Sequence, residues 1–433
     1  MSQLLKSEDW TFFAKSTHNY THGLHLYPAR MHPEIARRLI KKYANEQKKV
    51  VFDPFMGSGG VLVESLLHNN NSIGFDINPF AVLLSKVKTT PINPKKLNQK
   101  FHDIQSKSNT DLKRKINYDN APSSINLPFW YTKESVKRLQ ILKKHIFDIT
   151  DDKVQNFFKI CFSLTSRRTS FQKNSIYKIY RMKPEKRKVF RPDPFETFSQ
   201  VCVANIAKMA DFYAQLRSKK SRVFPIEDDT RNAKDLFSHI PQKILDDGKA
   251  HLVVTSPPYG DHGTTVAYGQ FSRHLGLWLE LPEETLLPVD SIGLGGKKKK
   301  EHSDLESPLL TKTLARVEKK DSEQEKKTNN PTRAKDVYSY FYDLDKCLEQ
   351  ISQVLKPNKS HCCFVVANRT VRRIKIPTDQ IIIELAAKYG FRYKHTIPRT
   401  IVKKAMASKN APENIRYNAG ETMKRESVIV WKF

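Results

Sequence analysis

Short continuous apolar runs alternate along this chain with stretches whose apolar residues recur at helical spacing. The runs at 49–52, 72–76, 221–226, 251–254 and 361–367 have the length and the β-branched and aromatic content of buried strands. Around them, Ile35, Leu39 and Tyr43 share one helical face, as do Ala81, Leu84 and Val87, and Tyr338, Phe341, Leu344, Leu348 and Ile351. A helix after the first run carries Val61, Leu62, Leu66 and Leu67. Another, starting at Asp379, carries Ile382, Leu385 and Ala386 and stops at Tyr389-Gly390. Two closing strands fall around 393–401 and 427–431. Strands alternating with helices predict an α/β fold on a mostly parallel sheet.

That rhythm is interrupted twice. Residues 91–222 are rich in Lys, Arg, Asn and aromatics. There, Leu139, Leu142, Ile146 and Ile149 mark one amphipathic helix, and Phe157, Ile160, Cys161 and Leu164 another. Residues 285–335 hold Gly293-Leu294-Gly295-Gly296, a lysine run and mixed charge with little apolar content, which predicts a mobile segment. The expected division is therefore a catalytic domain in three pieces, 1–90, 223–284 and 336–433, separated by a basic, mainly helical insertion at 91–222 and the charged segment at 285–335. Residues 1–21 show no clear period and read as an arm. No internal repeat is visible.

Charge narrows the class of partner. Among 433 residues, 75 Lys and Arg face 45 Asp and Glu, a net +30 that points to a polyanion. In the insertion, Arg167, Arg168, Lys183 and Arg187 lie in basic clusters interleaved with Tyr177, Tyr180 and Phe190, a composition suited to gripping phosphates and stacking on bases. The same clusters also suit a plain solvated face. Arg273, beyond the central motif, joins the candidate DNA contacts. No run approaches the ~18 apolar residues of a membrane span, and the first residues lack a secretory core, so a cytoplasmic protein is expected. The five cysteines form no CxxC pair, which argues against a disulfide framework or a zinc cluster, and no metal is expected.

Two turns carry the candidate chemistry. The run 251–254 ends in Thr255-Ser256-Pro257-Pro258-Tyr259-Gly260. Neither proline can donate to a ladder, so the chain must turn there. At the carboxyl end of a strand in an open α/β sheet, that turn puts Ser256, the Pro257 carbonyl and the Tyr259 ring at the ligand crevice. A polar pincer beside an aromatic plate suits a flat heterocycle with an exocyclic amine. The residues that follow, 261–273, read as a loop bordering the pocket. The other turn, Asp53-Pro54-Phe55-Met56-Gly57-Ser58-Gly59-Gly60, joins a strand to a helix, and its glycines let the backbone approach a ligand. Asp76 then ends the next strand, where a βαβ unit places a carboxylate on ribose hydroxyls, or where an acid simply opens a helix. Asp229, with Asp228 beside it, ends a third strand, where it can accept a hydrogen bond from an adenine amine.

Together these residues resemble the S-adenosylmethionine-dependent DNA amino methyltransferases, most closely those that modify the N4 amine of cytosine. The likeness covers 22–90, 223–280 and, more loosely, 337–433. It implies a Rossmann-like class I methyltransferase sheet, mostly parallel with an antiparallel end, plus the helical basic insertion. It further implies S-adenosylmethionine as cofactor, held by Tyr27, Pro28 and Arg30 of an amino-terminal motif, by Asp53, Phe55, Gly57 and Gly59, by Asp76 and Ile77, by Asp229, and by Thr255. Ser256, Pro257, Pro258 and Tyr259 would form the catalytic motif, with double-stranded DNA as partner and, in a restriction-modification system, a cognate endonuclease. Serine at the first position of that motif favours cytosine N4 over adenine N6. The long insertion departs from the family pattern, so the position of a target-recognition region does not transfer. Adenine N6 methylation, an RNA base-amine methyltransferase and an inactive DNA-binding subunit remain as alternatives.

Overall fold

The computed structural model describes residues 9–45, 49–245, 247–260, 265–299, 305–325, 332–401, 409–410, 420–421 and 425–433. Its centre is a seven-stranded sheet of β1 (Val50–Asp53), β2 (Asn71–Asp76), β3 (Val223–Glu227), β4 (Leu252–Thr255), β5 (His361–Val366), β6 (Arg392–Thr400) and β7 (Arg425–Lys432), in the order β3-β2-β1-β4-β5-β7-β6. The first five run parallel, and β7 lies antiparallel between β5 and β6. β1 and β4 are buried along their whole length, which is why they read as unbroken apolar runs.

Alternate residues feed two cores. Phe52, Val253, Phe364, Ile429 and Trp431 face one side, while Val51, Val254, Val365, Val428 and Val430 face the other with Ile35 and Leu39. Helices α1 (Pro33–Tyr43), α2 (Gly60–Leu67) and α3 (Pro79–Thr89) belong to the first half of the sheet. The order reverses between β1 and β4, so the loops leaving these two strands open the crevice where ligands bind in such sheets.

The insertion is helical, as expected, and holds α4 (Pro94–Lys113), α5 (Lys133–Phe147), α6 (Asp152–Arg168) and α7 (Pro194–Leu216). Its apolar faces merge with Phe80, Leu84 and Val87 of α3 into one core. Next come α8 (Ala233–Ser238), α9 (Tyr268–Trp278), α10 (Pro308–Glu325), α11 (Ala334–Val354) and α12 (Thr378–Ala387).

Three local expectations need correction. Half of the loop expected after the proline turn is α9. Its amino terminus is capped from a distance, Asp290 accepting from Gly269 N and Gln270 N at 2.8 and 2.9 Å. Residues 261–264 of that loop lie outside the described residues. Within 285–335, α10 packs Leu310, Leu314 and Val317 against the sheet's helices, so apolar positions at helical spacing sit inside that charge. In the expected arm, Trp10 and Phe12 are buried beside α1, with the Arg38 guanidinium 4.8 and 4.7 Å from their rings.

Candidate active site

The loop after β1 is held by hydrogen bonds that its own sequence supplies. Asp53 Oδ1 accepts from Phe55 N at 3.2 Å and from Thr255 Oγ1 at 2.6 Å. Gly57 N donates to Asp76 Oδ2 at 2.9 Å, and Asn78 N to Asp76 Oδ1 at 2.8 Å. Gly57 and Gly59 have φ of +48° and +74°, and a Cβ on Gly59 would fall 2.6 Å from Ser85 Oγ. Glycine is therefore required where the chain turns into α2. Burial raises the Asp53 carboxyl to about 7 and the Asp76 carboxyl to about 6, because neither hydrogen-bond set fully replaces lost water.

At the end of β3, Asp228 N bonds to Asp76 O at 3.2 Å, which draws this turn against the second strand. The Asp229 carboxylate is clamped by Arg231, whose Nε lies 2.9 and 3.0 Å from its two oxygens. Arg231 also donates to Ile292 O at 2.7 Å. Asp229 is thus fixed in place, each carboxylate oxygen accepting from Arg231 through its backbone N, Nε or Nη2.

The diproline corner is tied down at three points. Ser256 Oγ is 3.0 Å from Val365 O and 3.3 Å from Tyr259 Oη. Tyr259 Oη donates to Glu426 Oε1 at 3.0 Å, and Tyr340 Oη donates to Pro258 O at 2.6 Å. The single Ser256 hydrogen is taken by one of its two neighbours, so its oxygen keeps lone pairs for an incoming N–H.

Both turns open into one cavity of about 360 Å³, a size that fits a nucleoside-bearing ligand. Of the residues singled out in the sequence, Tyr27, Pro28, Arg30, Asp53, Phe55, Gly57, Asp76, Ile77, Asp229, Ser256 and Pro258 line it. Gly59, Thr255, Pro257 and Tyr259 stand behind the wall. The Tyr259 ring was expected as a plate in the crevice, but its hydroxyl is drawn aside to Ser256 and Glu426. Tyr27 is buried, accepts from Asn78 Nδ2 at 3.3 Å and stacks on Tyr268, with ring centroids 6.0 Å apart.

Several wall residues carried no signal in the sequence. Lys88 is buried, and burial next to Arg30 pushes its ammonium well below the usual lysine range. Arg231, Arg399 and Glu426 also line the cavity, as does Tyr268, which lies in the 261–273 stretch expected to border it. A lone charged residue late in a strand looks like any solvated one, so only the fold reveals them.

The candidate DNA contacts divide. Arg168, Lys183 and Arg273 are exposed and Arg187 is half-buried. Arg167 is a correction: it is buried, its guanidinium bonding Gln172 Oε1 at 2.9 Å and Ile176 O at 2.6 Å over the Phe271 ring. It holds the turn that brings Tyr177 to the cavity wall.

A sheet of this order, with a glycine turn after its first strand and a diproline corner after its fourth facing one cavity, defines a Rossmann-like methyltransferase whose methyl donor is S-adenosylmethionine. The chain belongs to the Type II DNA amino methyltransferases. A family model described as DNA methylase matches residues 4–87. The Type II methyltransferase M.MvaI of Kocuria varians is 38% identical over 432 residues, 97% of this chain and 93% of that protein. The Type II methyltransferase M.MjaII of Methanocaldococcus jannaschii is 34% identical over 94 residues, 22% of this chain and 18% of its own length. Among solved structures, the rRNA methyltransferase aviRa from Streptomyces viridochromogenes overlaps at a TM-score of 0.32 with 10% identity, covering 94% of this chain and 88% of its own, an overlap too low to bear on fold or function. Among the described residues no helix is long and apolar enough to cross a membrane, and no cluster of His, Cys, Asp or Glu could hold a metal ion.

Proposed function

We propose that this protein methylates the exocyclic N4 amine of a cytosine flipped out of duplex DNA at a short specific site, as the modification half of a restriction-modification system with a cognate endonuclease. The observation that carries this reading is that Ser256 lies in the wall of the same cavity as Gly57, Asp76 and Asp229. The acceptor for an amine and the turn suited to a nucleoside thus share one cavity.

S-adenosylmethionine, when bound, supplies a methyl group on a cationic sulfur. Asp76 and Asp229 would take its ribose and adenine, Tyr27 and Tyr268 would offer aromatic surface, and the Gly57 turn would let it approach the backbone. An aromatic amine is a poor nucleophile because its lone pair is delocalised into the ring. A hydrogen bond from one of its two N–H groups to Ser256 Oγ favours a pyramidal nitrogen with an available lone pair. Most of the rate gain then comes from positioning and electrostatics. Extruding the base costs a few kcal/mol, which phosphate contacts by Arg168, Lys183, Arg187 and Arg273 help to offset.

Methylome sequencing of a host expressing the protein, with mass spectrometry of its nucleosides, tests this reading. We expect N4-methylcytosine at one short motif in DNA, absent with Ser256→Ala. N6-methyladenine in its place would transfer the reading to adenine. A mark confined to RNA, or one that persists in the variant, would overturn it.

A further inference from the structure

Arg399 and Glu426 sit directly opposite each other on β6 and β7 and form an ion pair, with side chains 5% and 12% exposed. Such a pair in a cavity wall needs an explanation. Removing two charges from water costs about what their attraction returns, so an apolar cross-strand pair would stabilise the sheet equally well. Both residues line the cavity beside Ser256 and Pro258. Their geometry is also fixed from outside it. Arg399 Nε donates to Trp10 O at 3.1 Å, and Glu426 Oε1 receives the Tyr259 hydroxyl at 3.0 Å. The guanidinium has five N–H groups and the carboxylate about four lone-pair positions, more than these contacts use. The wall therefore presents an acceptor and a donor side by side, next to the serine that meets the amine.

We propose that Glu426 and Arg399 read the edge of the flipped base, Glu426 accepting from its exocyclic amine and Arg399 donating to the neighbouring ring acceptor. Cytosine and adenine both offer an amine beside an unprotonated ring nitrogen. Uracil and hypoxanthine offer the reverse, a carbonyl oxygen beside an N–H. Facing this pair, an oxo base sets its oxygen lone pairs against the carboxylate and its N–H against the guanidinium. The device therefore selects amino bases as a class before any chemistry occurs. It rests on the methyltransferase reading above and deepens it.

The test uses the full-length protein with S-adenosylhomocysteine and duplexes carrying the target site. The target position holds either the unmethylated target base or its oxo counterpart, each opposite an abasic site so that neither has pairing to lose. We expect the wild type to bind the amino base roughly tenfold or more tightly, the scale of a good edge contact. Glu426→Gln should reduce that ratio to within about twofold while S-adenosylhomocysteine affinity stays near wild type, and Tyr259→Phe should keep the ratio. If Glu426→Gln fails to fold, Arg399→Lys takes its place and should also lower the ratio. Retention of the full ratio in the folded Glu426 or Arg399 variant overturns the proposal. So does an equal loss in Tyr259→Phe, because Glu426 would then act only through the tyrosine. Failure of the wild type to bind S-adenosylhomocysteine would instead sink the methyltransferase reading itself.

Discussion

Asp53 Oδ1 accepts a hydrogen bond from Thr255 Oγ1 at 2.6 Å, joining residues 202 positions apart in the chain. Both side chains are buried, at the carboxyl ends of the neighbouring strands β1 and β4. The glycine turn and the diproline corner grow from these two residues, so this bond fixes the distance between the halves of the cavity. Thr255→Val keeps the shape and removes the donor, leaving a buried carboxylate oxygen with only Phe55 N. We expect a loss of about 1–3 kcal/mol in urea denaturation and weaker S-adenosylhomocysteine binding, with Thr255→Ser closer to wild type. Unchanged stability in Thr255→Val would show that the two turns are held apart from this bond.

The same burial makes stability depend on pH in an unusual direction for an acid. Asp53 titrates at 3.8 when solvated and at about 7 when folded. Between those values the native state holds a proton that the unfolded chain has lost, so stability falls as pH rises. The contribution is fully present below the solvated value and gone above the folded one. Asp76, raised to about 6 by burial, adds in the same sense. Asp53→Asn should flatten the fall in melting temperature between about pH 4 and about pH 7, and a slope equal to wild type would contradict this account.

How much of this was legible in the sequence depends on whether the signal is local. β1 and β4 are buried on both faces and announce themselves as apolar runs, and the residues that end them, Asp53 and Thr255, mark the two turns. Asp76 and Asp229 were found by their place at strand ends. What escaped is non-local. The cap on α9 comes from Asp290, some twenty residues downstream, as Gly269 N to Asp290 Oδ1 shows. Arg167 lies in a basic cluster, yet its two terminal nitrogens donate inward to Gln172 and Ile176. Arg399 and Glu426 become part of the cavity only because β7 inserts between β5 and β6.

Gly59 tests whether the first turn is as tightly specified as it looks. Its φ of +74° disfavours any side chain, and a Cβ there would press on Ser85 Oγ at 2.6 Å. Ser85 in turn bonds Gly57 O at 3.0 Å, so displacing it disturbs the loop on the cavity side. Gly59→Ala should lower stability by about 1 kcal/mol or more and weaken S-adenosylhomocysteine binding. A thermal scan and isothermal titration would measure both, and a variant that matched wild type in each would mean the turn tolerates a side chain.

The basic residues separate into those that build the protein and those that face outward, and salt distinguishes them. Arg167 is enclosed, so Arg167→Ala removes two charged hydrogen bonds, at 2.9 and 2.6 Å. It should cost about 1.5–3 kcal/mol per bond lost, read as a drop in melting temperature. Because it neutralises no phosphate, the slope of log affinity for DNA against log salt should not change. Lys183 and Arg273 are exposed, and replacing both with alanine should leave melting nearly unaltered. If each meets a phosphate, the double variant weakens binding similarly for all sequences and reduces the salt slope by roughly one per contact. A slope unchanged in the Lys183 and Arg273 double variant would mean that the DNA lies against another face, and one reduced by Arg167→Ala would mean that its burial opens when DNA binds.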